Sequence, residues 1–247
     1  MTATASADKP SLFPGATPAA GHGHRDIVIR ERHGNQVTSS NWSGYAVTTA
    51  KDSVSDVKGS WIVPAVTCNS TDAYAAFWVG IDGYGSSTVE QIGTDSDCVN
   101  GKPTYYAWFE FYPHFSYNID SVAVKPGDVI SAEVNYAANG RFAVSISVNG
   151  GPRFSTSTKL SQATRSSAEW IIEAVWGAGV LPLADFNTVS YSADNATVGK
   201  TNNPIGLIAG DVLAITMTAD NGATKSKPSA LSSDQSSFTD LWYSAGP

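Results

Sequence analysis

The chain has 247 residues, 42% of them hydrophobic and 15% charged, enough apolar material for one large β domain or two small ones. Its formal net charge of −7 argues against nucleic acid or an anionic membrane as partner, and no apolar run is long enough to span a bilayer. Gly, Ser, Thr and aromatic residues are plentiful, while helix-favouring Glu, Lys, Leu and Met are scarce, which points to strands and turns.

Residues 1–38 differ from the remainder. MTATASADKPSLFPGATPAAGHGH is rich in Pro, Ala and Gly and reads as a flexible leader. Three of the four histidines (His22, His24, His33) lie in this leader with Arg25, Arg30 and Arg32. It therefore gains positive charge in acid, and it reads either as a disordered tail or as a cationic propeptide held against an acidic groove. MTATASADKP lacks the apolar core of a signal peptide. The body, 39–247, opens with the strand NWSGYAV; GSWIVPAV and AYAAFWVGI follow, each short and bounded by turn residues. VKPGDVISAEVNYA carries a Pro-Gly-Asp turn and an alternating strand, a cue repeated in IAGDVLAITMTA. RFAVSISVNG and PRFSTSTKL form a hairpin pattern around Asn-Gly-Gly. SSAEWIIEAVW is ambiguous between helix and strand, and its β-branched and aromatic content favours a strand. About a dozen short strands without a clear helix fit an all-β fold, an antiparallel β-sandwich of two large sheets, concanavalin A-like.

Between Phe77 and Tyr112 the polar side chains keep a single strand parity. Phe77, Val79 and Ile81 share one face and Trp78 and Asp82 the other; Ala107, Phe109 and Phe111 oppose Tyr106, Trp108, Glu110 and Tyr112. Val89, Gln91, Gly93 and Asp95 likewise share a side. Large aromatic rings interleaved with carboxylates favour a binding groove over a solvated sheet surface. Cys68 and Cys98 read as a disulfide in an extracellular protein, the alternative being two buried thiols.

The familiar catalytic kits are missing. The body's only histidine is His114, with no G-x-S-x-G elbow, no H-E-x-x-H and no phosphate-binding loop. Asp82, Asp95, Glu110, Glu169 and Glu173 remain as candidate acids, with Gln91 among them.

WVGIDG, VEQIG, YAWFEFYP and AEWIIE, in that order, resemble the glutamic peptidases, or eqolisins, and the likeness covers nearly all of the body. It implies a β-sandwich whose concave face binds an extended peptide, and an acid-active secreted endopeptidase made as a zymogen. Carried over by motif, the catalytic pair falls on Gln91 and Glu173, with Glu169 the reserve because it shares Glu173's parity. Groove residues fall on Trp78, Asp82, Asp95, Trp108, Glu110 and Tyr112, and Tyr112-Pro113 begins a flap-like loop through His114 and Tyr117. Glu173 would serve as general base and Gln91 as oxyanion donor, with no metal or cofactor, on protein and peptide substrates and as a monomer. The chain departs from the family pattern at Tyr106, where the family has an acid, and at Val175 and Trp176, where it has Phe and Glu; the family's extra cysteines are also missing. Two other classes stay open on the residues alone: a carbohydrate-binding sandwich using the same aromatics, and a glycosidase using Glu110 and Glu173.

Overall fold

A computed structural model of the chain describes residues 13–19 and 23–246. The strands run in chain order as β1 (Ala16–Pro18), β2 (Ile29–His33), β3 (Gln36–Ser39), β4 (Trp42–Thr48), β5 (Val54–Ile62) and β6 (Ala76–Ile81). The next six are β7 (Val89–Val99), β8 (Lys102–Tyr112), β9 (Tyr117–Ile119), β10 (Val129–Ala137), β11 (Arg141–Val148) and β12 (Phe154–Lys159). The last six are β13 (Ser167–Glu173), β14 (Thr188–Val198), β15 (Thr201–Pro204), β16 (Asp211–Thr218), β17 (Thr224–Pro228) and β18 (Phe238–Trp242). One 3-10 turn, Ile205–Leu207, is the only helical element among the described residues.

One layer runs β9-β8-β7-β6-β13-β4-β16, each pair antiparallel. The other runs β12-β11-β10-β5-β14. β17 and β18 bridge the layers by pairing β16 on one side and β14 on the other, so a single sheet folds over on itself into a sandwich. Alternation decides what lies between the layers. Phe77, Val79, Ile81, Ala107, Phe109, Phe111, Trp170 and Ile172 enter the inter-sheet core. Trp42, Trp78, Trp108 and Ile171 pack together on the opposite face of the first layer. Ser167–Glu173 is a strand, paired on both sides by β4 and β6. Cys68 and Cys98 are joined in a disulfide that ties the loop after β5 to the end of β7.

The described part of the leader is docked and strand-paired, not a loose tail. β1 adds to the edge strand β9, and Phe13 packs on Phe109 and Tyr117 at 5.1 and 4.9 Å between ring centroids. β2 pairs with β3, which lies parallel to β16. Position 38 falls inside β3, whose Val37 is buried. The leader's strands cover sheet edges that otherwise present unpaired backbone groups, a long-range pairing that composition does not report. Residues 1–12 and 20–22, which include His22, lie outside the described residues.

Candidate active site

The outer face of the first layer is built in rows across β13, β6, β7 and β8. One row reads Ile171, Trp78, Gly93, Trp108; a second reads Glu169, Gly80, Gln91, Glu110; a third reads Glu173, Ala76, Asp95, Tyr106. Small residues beside Trp78 give its indole room to lie along the sheet. A Cβ on Gly80 would stand 2.9 Å from the Trp78 ring, and one on Gly93 2.6 Å from Trp78 Cβ. Trp78 can therefore reach across to β13, where its Nε1 donates to Glu173 Oε2 at 3.0 Å.

Glu173 closes β13 and is fully buried. Its cover comes from the leader: the backbone N–H of Arg25 donates to Oε1 at 3.0 Å, and His24 Nδ1 stands 3.5 Å from Oε2. The imidazole of His24 lies flat on Trp108, 3.4 Å between centroids and 8° from parallel. Trp42 Nε1 donates to Arg25 O at 3.0 Å, and the Arg25 guanidinium rests 4.4 Å from the centroid of Trp176. Burial holds the Glu173 carboxyl above the usual carboxylate range, partly offset by His24, the Arg25 amide and Trp78. Gln91 Nε2 donates to Glu110 Oε2 at 2.7 Å. Glu110 is raised well above its ordinary range, first by burial and then by the charge of Glu173. Beside this group a cavity of about 560 Å³ opens along Arg25, Glu110, Tyr112, His114 and Trp176. Among the described residues no three His, Cys, Asp or Glu side chains are grouped so as to hold a metal ion.

The structure thus brings Trp78, Gln91, Trp108, Glu110 and Glu173 together on one face of the sheet; of these Glu110 lines the cavity, with Tyr112 and the 113–116 loop beside it. It puts the other candidates to different uses. Asp82 accepts the backbone N–H groups of Thr164, Arg165 and Ser166 at 2.7, 2.7 and 3.0 Å and clamps that turn. Asp95 Oδ2 accepts from Tyr106 OH at 2.8 Å, and the same hydroxyl is 2.9 Å from Asp97 Oδ2. Glu169 is buried beside Ser167 and the backbone of Tyr84, with Asp82 and Glu90 nearby. The sequence reading missed His24, Arg25, Trp42 and Trp176 as cleft residues; the available signal was a His-Arg pair in the leader and a tryptophan three residues past Glu173.

A profile of the Peptidase A4 family matches residues 40–239. The chain belongs to the Peptidase A4 family. It is an enzyme, a glutamic peptidase, and the likeness carried by WVGIDG, VEQIG, YAWFEFYP and AEWIIE holds. Among curated proteins this A4 peptidase is 28% identical to Aspergillopepsin-2 of Aspergillus niger over 191 residues, which is 67% of each chain. It is 32% identical to Scytalidopepsin B of Scytalidium lignicola over 139 residues, 54% of this chain and about half, 51%, of that protein. Among solved structures it resembles scytalido-glutamic peptidase bound to a peptide-based transition-state analog, with a TM-score of 0.69 and 22% identity over 83% of this chain and 98% of that one. It also resembles aspergilloglutamic peptidase from Aspergillus niger, with a TM-score of 0.61 and 24% identity over 69% and 99%. The A4 peptidase shares their β-sandwich fold. Among its described residues no helix is long and apolar enough to cross a membrane.

Proposed function

We propose that this A4 peptidase cleaves proteins and peptides in acid with Gln91 and Glu173 as its catalytic pair. The observation that carries this reading is that a stretch of peptide, Gly23–Arg25, lies across the cleft with a backbone amide on Glu173. Glu173, as carboxylate, takes a proton from a water that attacks the scissile carbonyl. The Gln91 amide donates to the developing oxyanion, and protonated Glu173 then passes its proton to the leaving amine. Glu110 holds the Gln91 amide in place by accepting from Nε2. General bases work best near their own pKa, and an unperturbed glutamate titrates at about 4.3, so a glutamate base suits an acid enzyme. Solved relatives support a peptide ligand: one holds a peptide-based transition-state analog and another the tripeptide Ala-Ile-His. The disulfide fits secretion into an oxidising medium. Family membership removes the ground for the carbohydrate-binding and glycosidase readings.

The test is cleavage of an unfolded protein substrate from acid to neutral pH with pepstatin present. Gln91→Ala is expected to lose about 10²–10³ in kcat, and Glu173→Gln about 10²–10⁴ or more. Glu169→Gln should stay within a few-fold of wild type while folded. Cleavage that persists without Glu173 would overturn the assignment.

A further inference from the structure

Trp176, three residues past the end of β13, is held in an unusual way. Trp176 and Val180 form an antiparallel bridge across a Gly-Ala-Gly turn, and Gly177 N donates to Gly179 O at 2.9 Å. That tight turn fixes one edge of Trp176 and leaves the other edge to the cleft. Gly23 takes it: Gly23 N donates to Trp176 O at 2.9 Å and Trp176 N donates to Gly23 O at 2.8 Å. A peptide in this cleft therefore adds to Trp176 as a short antiparallel strand, the recognition mode in which main-chain pairs give affinity and alternate side chains give selectivity.

The side chain read by that arrangement is Arg25. Its guanidinium lies over the Trp176 indole at 4.4 Å, and Arg25 O is anchored by Trp42 Nε1. Its backbone nitrogen is the one on Glu173, the place a leaving amine occupies when the carboxyl returns its proton. We propose that Trp176 is a specificity-determining residue: its main chain aligns the substrate, and its indole face selects an arginine or lysine on the carboxyl side of the cleaved bond. This rests on the reading of Glu173 and Gln91 as the catalytic pair. Arg25 Nε also lies 3.5 Å from Asp26 Oδ1, but a guanidinium on an indole is attracted by the ring quadrupole whether or not a carboxylate is near, so the selection survives acid that neutralises Asp26 and Glu110. A preference based on acidic side chains alone would fade there.

Two measurements test it. In the full chain at neutral pH, hydrogen exchange of the leader reads how often Gly23–Arg25 leaves Trp176. Arg25→Gln and Trp176→Ala should each speed exchange about tenfold, the double variant should be no faster than either, and Arg25→Lys should keep most of the protection. An unchanged rate in Arg25→Gln, or effects that multiply, would overturn the contact; Arg25 is partly exposed, so its variants are not expected to unfold the chain. Then matched quenched peptides differing only in Arg, Lys or Gln after the cleaved bond are hydrolysed in acid. Wild type should favour Arg over Gln in kcat/KM by about tenfold, and Trp176→Ala should bring the ratio near one. A ratio that persists in Trp176→Ala would assign the preference to cleft charge and overturn the proposal. No hydrolysis by any form would sink the catalytic pair, and the exchange cycle would still decide the subsite.

Discussion

His24 Nδ1 lies 3.5 Å from Glu173 Oε2, with the imidazole stacked on Trp108, so a leader residue covers the carboxyl expected to activate water. Both His24 and the Arg25 amide favour the ionised form of Glu173. Acid that protonates Glu173 removes the charge they bind, so leader contacts are strongest above its titration and weaken below it. A lag is expected when intact chain is moved from neutral to acid pH, ending with loss of the leader. His24→Ala should shorten the lag several-fold without changing the final rate. Onset of quenched-peptide cleavage, with the chain's mass followed in parallel, checks this; immediate full activity with the leader intact would count against it.

Glu110 accepts from Gln91, and burial together with the Glu173 charge raises its carboxyl well above the ordinary range. Its ionisation puts a second negative charge beside the pair. Glu110→Gln should keep peak activity within a few-fold and extend activity toward neutral pH. Glu110→Ala, which leaves the Gln91 amide unanchored, should lower kcat by roughly tenfold or more. The pH profile of kcat/KM decides between these and a bystander role, in which neither variant differs from wild type.

Asp240 is fully buried between Ser43 and Ser226, and burial pushes its carboxyl up to about 7. Glu90, Glu169 and Asp194 are raised well above their ordinary range for the same reason. A carboxyl raised in the folded state stabilises fully below its unfolded pKa of about 4, and that contribution is lost as pH rises through the folded value. For Asp240 the window is about pH 4 to 7, and the loss is on the order of 4 kcal/mol. Denaturant midpoints should fall across this window, and Asp240→Asn should flatten part of the fall. A midpoint that rises from pH 4 to 7 would contradict the assignment.

The Asp82 carboxylate satisfies three backbone N–H groups of the 164–166 turn. Asp82→Ala leaves them without their acceptor, each costing about 1–3 kcal/mol where buried. We expect a loss of about 3 kcal/mol or more by urea unfolding, with KM for peptides nearly unchanged in folded protein. A raised KM at wild-type stability would return Asp82 to the groove.

The Cys68–Cys98 bridge closes a loop of sequence separation 30. Replacing both cysteines by serine should lower stability by about 3–4 kcal/mol through the freer unfolded chain. Thermal unfolding with and without reductant checks this, and equal midpoints would refute it.

Much of the fold was legible because strand geometry writes itself into sequence with a period of two. FWVGID and YYAWFEFY separate core from cleft by parity alone, and Phe77, Val79, Phe109, Trp78 and Trp108 lie where that parity puts them. The family was legible too, because four motifs in order are specific where each alone is not. Parity is blind to position along a strand, so it could not separate Glu169 from Glu173, four residues apart on one face. Tertiary structure separates them: the body covers Glu169 with the loop around Tyr84, while Glu173 lies under the leader at the cleft. Asp82 looked like a groove acid by the same parity, yet the turn at 164–166 folds over it. The leader's composition signalled flexibility, but its pairing with β9, β16 and Trp176 depends on partners about 100 to 180 residues away. Local sequence determined which side chains share a face; long-range pairing decided which of them meet, because those contacts exist only once distant strands are brought together.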